Sequence, residues 1–402
     1  MTLVESPLAG PLAHGAQRVA PRPKPELLSV DFDERPFTVA WELTRSCALA
    51  CVHCRAEAQP QRHPDELATT EALRLIDALA ELAPPVLVLT GGDPLMRPDL
   101  FAIAEYAVGK GLRVAVSPTT TALVTRARLA RLRDLGVQMV HISIDGADAE
   151  THDRFRGVPG TFARALTTLR FLRELELPVQ VGTTLTRHNL QQLPAMADLM
   201  AANRVSVWNV FYLVPTGRGR EQSMVSASEA EESWEWLAAL SASASFAVRT
   251  TAAPQFRRTM LRRARSTDGG PVRLTGAGYQ LREAPQGVLT RGVNDGKGFM
   301  FIDHLGNVCP SGFLQVPAGN VRTDDVAGVY RDAPLFRALR DPSMLQGRCG
   351  SCAFADLCGG SRARAMSVCG NYLAEDPLCL IDAANEPPRS SISSSSSSGI
   401  TR

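Results

Sequence analysis

Cys47-Ala-Leu-Ala-Cys51-Val-His-Cys54 directly follows an apolar run, Phe37–Leu43, that predicts a strand. Three thiolates at this C-x3-C-x2-C spacing can bind three irons of a [4Fe–4S] cluster, which leaves the fourth iron without a protein ligand. An open coordination position is typical of catalytic metal sites, as it is for zinc. Zinc and reduced core cysteines are the alternatives, but zinc motifs usually pair C-x2-C with a second distant pair. The loop therefore predicts an iron–sulfur cluster with one open iron.

Strand-like and helix-like segments alternate downstream of this loop. The predicted strands are Phe37–Leu43, Val86–Thr90, Leu112–Ser117, Gln138–Ile144, Val179–Thr184 and Val205–Leu213. The predicted helices are Thr70–Leu82, Pro98–Val108, Arg126–Leu135, Thr161–Leu175 and Leu190–Met200. This alternation predicts an α/β fold with a parallel sheet and helices outside it. Six such units make a partial (β/α)6 TIM-like barrel, since eight would close a full one, and the chemistry is expected where strands end.

The composition divides the chain into five parts. We predict a flexible N-terminal arm at 1–34, the barrel at 35–221 and a helical or mixed connecting region at 222–298. A cysteine-rich domain is predicted at 299–385, and a Ser-rich tail at 386–402 is expected to be disordered because it has too little apolar surface to bury.

The charge balance and apolar runs exclude several classes of protein. The 402 residues contain 43 Lys and Arg against 41 Asp and Glu, so the net charge of +2 gives no electrostatic case for nucleic-acid or membrane-surface binding. No apolar run approaches the roughly 18 residues needed to cross a bilayer, and no signal-peptide pattern opens the sequence. We therefore expect a cytoplasmic protein, in which nine cysteines are reduced and clustered ones bind metal.

The cysteine loop resembles that of the radical S-adenosylmethionine (radical SAM) enzymes. The resemblance implies a [4Fe–4S] cluster bound by Cys47, Cys51 and Cys54, with S-adenosylmethionine (SAM) on the open iron. Gly91-Gly92-Asp93-Pro94, after the second predicted strand, resembles the GGEP-type motif of that family, with Asp in place of Glu. The positions that the resemblance assigns to SAM are Gly91, Gly92, Asp93, Pro94, Ser117, Ser143, Asp145 and Leu213. Polar caps at strand ends and, for Leu213, core packing are the alternatives.

The C-terminal cysteines resemble the SPASM extension found behind many radical SAM barrels. Such extensions commonly hold two auxiliary clusters, and here one ligand set is intact: Cys349, Cys352, Cys358 and Cys379. The other set is broken, because Asp324 and Arg362 stand where cysteines are expected and Cys309 is left alone. The resemblance thus implies one auxiliary [4Fe–4S] cluster, with a structural zinc as the alternative; Cys369 fits no ligand position.

Short stretches in the C-terminal half, such as Cys358-Gly-Gly-Ser-Arg-Ala-Arg-Ala365, look most like the branch that makes haem d1 and haem by an alternative route. The resemblance implies oxidation or decarboxylation of propionate side chains on a haem-type tetrapyrrole, with an external electron donor of flavodoxin or ferredoxin type. Arg218, Arg220, Arg362 and Arg364 are candidate partners for carboxylates.

Two other functions stay open from the sequence. One is a maturase that modifies a ribosomally made peptide, although the 36 residues before the predicted barrel are few for a leader-recognition domain. The other is a non-catalytic iron–sulfur or zinc protein, which an open iron disfavours because pure electron carriers saturate their irons with protein ligands.

Overall fold

A ten-stranded sheet forms the frame of the protein in a computed structural model, which describes residues 30–266, 279–284 and 287–381. The strands are β1 (Thr38–Glu42), β2 (Val86–Thr90), β3 (Val114–Val116), β4 (Met139–Ser143), β5 (Val179–Leu185), β6 (Val207–Tyr212), β7 (Ala247–Thr251), β8 (Tyr279–Ala284), β9 (Gly287–Gly292), β10 (Phe299–Ile302), β11 (Asn307–Cys309) and β12 (Gly319–Asn320). Strands β8 and β9 form a separate antiparallel hairpin.

Helices connect these strands. They are α1 (Thr69–Leu82), α2 (Leu100–Gly109), α3 (Arg126–Asp134), α4 (Ala149–Arg156), α5 (Thr161–Glu174), α6 (Leu193–Ala202), α7 (Ala227–Ser243), α8 (Gln255–Ser266), α9 (Val326–Asp332), α10 (Pro334–Arg340), α11 (Gly347–Ser351) and α12 (Arg362–Cys369). Among the described residues, no helix is long and apolar enough to cross a membrane.

The sheet order is β12-β11-β10-β1-β2-β3-β4-β5-β6-β7, and the strands from β10 to β7 in that order run parallel. Parallel neighbours in chain order with helical crossovers confirm the predicted partial TIM-like barrel, and all six predicted strands occur. The C-terminal strand β10 pairs with β1, with Phe301 opposite Ala40. The cysteine-rich extension is thereby built into the barrel sheet. The seventh parallel strand, β7, was not predicted.

The two faces of the parallel strands are buried to different degrees. Alternate residues such as Trp41, Leu89 and Val181 are fully buried beneath the helices. The intervening residues face the concave side because side chains alternate along a strand, and most of them, including Ala40 and His141, are only half-buried. The concave side is therefore an open lumen, unlike the packed interior of a closed TIM barrel.

The ends of the predicted domain layout fall partly outside the described residues. Residues 1–29 of the predicted arm and the predicted tail at 386–402 lie outside them. Val30 and Phe32, at the end of the predicted arm, are fully buried and pack with Phe37.

Candidate functional site

The C-x3-C-x2-C loop lies at the carboxyl end of β1 and carries three free thiols. Cys47 and Cys51 are buried, and Cys54 is half-buried. Each sulfur accepts one N–H: the Leu49 amide lies 3.4 Å from Cys47 Sγ, the Ala58 amide 3.5 Å from Cys54 Sγ, and Arg156 Nη1 3.7 Å from Cys51 Sγ. N–H donors aimed at sulfur suit thiolates and cluster sulfurs, so the donor set fits an iron–sulfur cluster.

Burial raises the pKa of the Cys47 thiol to about 11 and also raises the pKa of Cys51, although Arg156 partly offsets the second shift. Both thiols are consequently protonated without metal, and metal binding displaces their protons.

Two neighbouring loops hold the cysteine loop by close backbone contact. A Cβ on Gly92, after β2, would lie 2.5 Å from the Ser46 carbonyl oxygen, and one on Gly217, after β6, 2.5 Å from that of Cys54. Gly217 also has a φ of +53°, which favours glycine. Arg218 donates to the carbonyls of Cys51 and Ala58 at 2.9 and 3.3 Å. These glycines therefore serve loop–loop packing.

A buried ion pair lies beside Cys51. Arg156, at the end of α4, contacts Asp145 after β4 at 2.5 Å, and Asp145 is fully buried. Burial alone would raise the pKa of Asp145, but the charge of Arg156 holds it below its usual range. The amide of Thr184 donates to the same carboxylate at 2.7 Å. The carboxylate of Asp145 thus contacts protein groups on both sides. One of these groups, Arg156, also donates to the sulfur of Cys51.

His53 lies within the cysteine loop and stacks on Phe155, with ring centroids 4.1 Å apart and planes 8° apart. Desolvation lowers the pKa of His53 to about 3, so the ring is neutral. A neutral ring on an apolar partner packs the cysteine loop against α4.

The Gly91–Pro94 motif lies beside the cysteine loop. The Asp93 side chain is fully buried, accepts from the Leu95 amide at 3.1 Å and from the Thr121 hydroxyl at 3.0 Å, and burial raises its pKa. Thr119, in the same loop as Thr121, lies 3.8 Å from Cys47 Sγ. These two threonines were missed from the sequence; their place in the loop after β3 is the signal that could have found them.

The remaining predicted positions lie at other strand ends. Ser117 and Ser143, after β3 and at the end of β4, are half-buried on the side of the lumen. Leu213 is buried, and its carbonyl accepts from Arg364 of α12 at 3.4 Å. Leu213 therefore lies at the junction of the barrel with the C-terminal region.

Cationic side chains line the lumen, which the sequence did not indicate. Arg249 of β7 lies opposite Asn209 of β6, and its charge helps burial to lower the pKa of His141 to about 4. Near β1, Arg45 and Arg55 contact the buried carboxylate of Glu42 at 3.2 and 3.0 Å. Glu42 has a lowered pKa because the cations outweigh the effect of its burial.

Three of the four arginines proposed from the sequence as carboxylate partners have other partners. Arg218 binds the cysteine loop, and Arg364 pairs with Asp376 at 3.0 Å with both side chains fully buried. Arg362 donates to the carbonyls of Tyr372 and Ala374. Arg220 is exposed in the loop after β6.

The four C-terminal cysteines of the intact set line one cavity. Cys349, Cys352, Cys358 and Cys379 lie on the wall of this cavity, together with Arg258 and Arg348. Each sulfur again accepts one N–H. The four donors are the Phe354 amide to Cys352 (3.4 Å), the Gly360 amide to Cys358 (3.5 Å), Arg362 to Cys349 (3.5 Å) and Arg258 to Cys379 (3.7 Å).

The two cysteines outside these sets differ from them. Cys309 is buried at the end of β11, away from that cavity wall, and burial raises its pKa to about 12. Cys369 is exposed at the end of α12. Within the described parts of the chain, no three His, Cys, Asp or Glu side chains converge closely enough for a single metal ion. Cysteines that bind separate irons of a cluster need not converge in this way.

Comparison with known proteins identifies the family to which this chain belongs. Residues 41–200 match the Radical SAM superfamily. The chain is 40% identical to an AdoMet-dependent heme synthase of Oleidesulfovibrio alaskensis, over 87% of this chain and 88% of that protein. It is also 40% identical to an AdoMet-dependent heme synthase of Methanosarcina barkeri, over 86% of this chain and 96% of that protein. The chain belongs to the radical SAM superfamily.

The fold agrees with that of a solved radical SAM structure. Streptococcus suis SuiB bound to S-adenosylmethionine superposes with a TM-score of 0.67 at 13% identity, over 87% of this chain and 78% of that one. The protein is therefore a radical SAM enzyme, and membership implies SAM and a [4Fe–4S] cluster as cofactors.

Proposed function

We propose that this radical SAM enzyme converts propionate side chains of an iron porphyrin into vinyl groups, as a haem synthase. The 40% identity to two haem synthases over more than four-fifths of each chain carries the proposal. A cytoplasmic site of action goes with it, because the nine cysteines are free thiols and such chemistry needs a reduced compartment.

Cys47, Cys51 and Cys54 are the proposed ligands of the SAM-binding cluster. Their support is the C-x3-C-x2-C spacing, the three N–H donors to sulfur and the glycine contacts that fix the loop. Gly91–Pro94, Ser117, Ser143, Asp145 and Leu213 are the proposed surroundings of SAM. Of these, Asp145 acts through Arg156, since its carboxylate already binds that guanidinium.

Reduced by one electron, the cluster with SAM supplies methionine and a 5′-deoxyadenosyl radical. The propionate side chain would lose a hydrogen atom to that radical. Loss of one hydrogen atom, one electron and CO2 turns R–CH2–CH2–COO⁻ into R–CH=CH2, and the hydrogen atom leaves as part of 5′-deoxyadenosine. The electron that leaves the substrate needs an acceptor. The reduction of SAM needs a donor, and for this donor we propose an external protein of flavodoxin or ferredoxin type.

The lumen suits a large anionic substrate. Most of its concave residues are half-buried, and Arg249 brings a guanidinium group to its β7 side, whereas Arg45 and Arg55 already contact Glu42. Guanidinium binds carboxylate through two parallel hydrogen bonds. We infer that Arg249 anchors a propionate, because the strand register places it opposite Asn209 and its charge acts on His141, which faces the same concave side.

One auxiliary [4Fe–4S] cluster is proposed at Cys349, Cys352, Cys358 and Cys379. The four sulfurs surround one cavity and each accepts an N–H. A zinc ion would need all four within about 2.3 Å of one point, whereas the described side chains show no such convergence. This site is the proposed acceptor of the substrate electron.

The test is an anaerobic assay of the full chain reconstituted with iron and sulfide. We expect about eight irons per chain, two clusters of four, and release of 5′-deoxyadenosine and CO2 from dithionite, SAM and iron coproporphyrin. Cys51→Ala should abolish SAM cleavage, whereas Cys352→Ala should stop product formation and leave uncoupled SAM cleavage detectable. Cleavage of SAM without any change to the porphyrin would overturn the substrate, and zinc in place of iron would overturn both clusters.

A further inference from the structure

Both predicted cluster sites have an arginine within hydrogen-bond distance of a cysteine sulfur, but the charges around these arginines differ. At the first site Arg156 contacts Cys51, and at the second Arg362 contacts Cys349 and Arg258 contacts Cys379. The three N···S distances lie between 3.5 and 3.7 Å, and all three arginines are buried. The difference is in what neutralises each guanidinium.

At the first site the arginine charge is cancelled close by. Arg156 lies 2.5 Å from the fully buried carboxylate of Asp145. A second buried carboxylate, that of Asp93, acts electrostatically on Cys47. The cysteine loop thus has about as much buried negative as positive charge around it.

At the second site the positive charge is less compensated. Arg362 is 1% exposed and donates to the carbonyls of Gly360, Tyr372 and Ala374, and no carboxylate in the described part of the chain lies within ion-pairing distance of it. Arg258 pairs with Glu231, which is 26% exposed and therefore screened by water.

Another buried cation interacts electrostatically with one of these cysteines. Lys297 is 4% exposed and donates to the Asp356 carbonyl at 2.8 Å, close enough to Cys358 for their charges to interact. The fully buried carboxylate of Asp376 also acts on Cys349, but it already pairs with the buried Arg364. The buried cations near the four cysteines therefore outnumber the buried carboxylates.

Reduction of a cluster adds one negative charge to a buried site. Cations and hydrogen-bond donors at the ligand sulfurs stabilise the reduced state more than the oxidised state, so they raise the reduction potential. A buried carboxylate beside the cation removes much of this effect.

We propose that Arg362 and Arg258 raise the reduction potential of the auxiliary site, so that it accepts the electron that leaves the substrate with CO2. The first site, where Asp145 neutralises Arg156, keeps the low potential needed to reduce SAM. The inference rests on the auxiliary cluster of the proposed function. One electron would pass from the substrate radical to the oxidised auxiliary cluster at these cysteines, and an oxidised protein of flavodoxin or ferredoxin type would then remove it.

Arg362 is a positioning residue in this scheme, and the readout is a potential, not activity. The Cys47→Ala/Cys51→Ala/Cys54→Ala protein lacks the ligands of the first cluster, so only the auxiliary site can bind one. This protein is reconstituted with iron and sulfide and titrated with dithionite. Electron paramagnetic resonance measures the amount of reduced cluster at each potential. Arg362→Gln should lower the equilibrium constant for one-electron reduction about tenfold, a shift of about 59 mV to more negative potential. Arg362→Lys should recover part of the shift, because it keeps the charge.

Glu231→Gln should shift the reduction potential in the opposite direction to Arg362→Gln. It therefore tests the inference even if the Arg362 variants fail to fold. This change removes the partner of Arg258 without touching a sulfur, so the potential should rise. The matched control is Arg337→Gln on α10, an exposed arginine of the same domain, which should leave the potential unchanged.

Unchanged potentials in Arg362→Gln and Glu231→Gln, each with about four irons bound, would overturn the inference and leave the auxiliary cluster standing. Failure of the parent triple variant to bind about four irons would instead overturn the auxiliary cluster itself.

Discussion

Arg364 of α12 and Asp376 form an ion pair at 3.0 Å in which both side chains are fully buried. The same guanidinium donates to the carbonyls of Tyr212, Leu213 and Ala252, which lie at the carboxyl ends of β6 and β7. Asp376 also accepts from the Ser361 amide at 2.7 Å and the Gln255 side chain at 2.8 Å. One buried pair therefore joins the barrel to the domain that carries the second cysteine set.

Arg364→Met should destabilise the protein by about 3–5 kcal/mol, because it leaves the Asp376 carboxylate buried without its cation. We expect a clear fall in the midpoint of thermal unfolding of the reconstituted protein, together with loss of iron from the C-terminal site. Arg337→Met, an exposed arginine on α10, is the matched control and should change the midpoint little. Equal midpoints for the two variants would contradict a structural role for the pair.

The same pair predicts a dependence of stability on pH. Burial alone would raise the pKa of Asp376, but Arg364 and its N–H donors hold it below the usual value. A carboxyl with a depressed folded-state pKa stabilises above its unfolded pKa of about 3.9, and this contribution is lost as pH falls through the folded value. The free energy of unfolding should therefore fall more steeply below about pH 4 in the unaltered chain than in Asp376→Asn. Parallel curves for the two proteins would contradict this assignment.

Most strands and helices of the barrel could be predicted because each depends on a local pattern, but helix α4 (Ala149–Arg156) was missed. All six predicted strands occur, and Val86–Thr90 has the predicted ends. Strand β7 was missed because Ala247–Thr251 has only two apolar residues, and every residue in it is half-buried. Arg249 was missed with it, since only the register against Asn209 brings it to the lumen.

The site was predictable where its residues are close in sequence. The spacing of the first three cysteines indicated their chemistry, and the four C-terminal cysteines line one cavity. Arg156 was not predicted, because an arginine in a charged helix is ordinarily exposed. Only the folded chain brings it to Asp145 and Cys51.

Gly217→Ala should disrupt the first cluster site from outside the cysteine loop. The new Cβ would lie 2.5 Å from the Cys54 carbonyl oxygen at a φ of +53°, so the loop must move. We expect the protein to lose most of the iron at that site and to release correspondingly less 5′-deoxyadenosine. Gly109→Ala is the control, since its Cβ would meet nothing within 4 Å. Normal iron content in Gly217→Ala would show that this contact does not hold the loop.

Arg249→Gln should weaken binding of a porphyrin that carries propionates. The change removes a guanidinium from the lumen, and a hydrogen bond to a charged group is worth about 1.5–3 kcal/mol, so the KM for iron coproporphyrin should rise at least about tenfold. Iron content per chain should stay equal to that of the unaltered protein, because Arg249 lies on β7 and has no contact with the cysteine loop among those described. Arg173→Gln, an exposed arginine on the outer helix α5, should leave KM as it is. If Arg249→Gln bound the porphyrin as tightly as Arg173→Gln does, the propionates would have to be held elsewhere, with Arg45 and Arg55 beside β1 the next to be substituted.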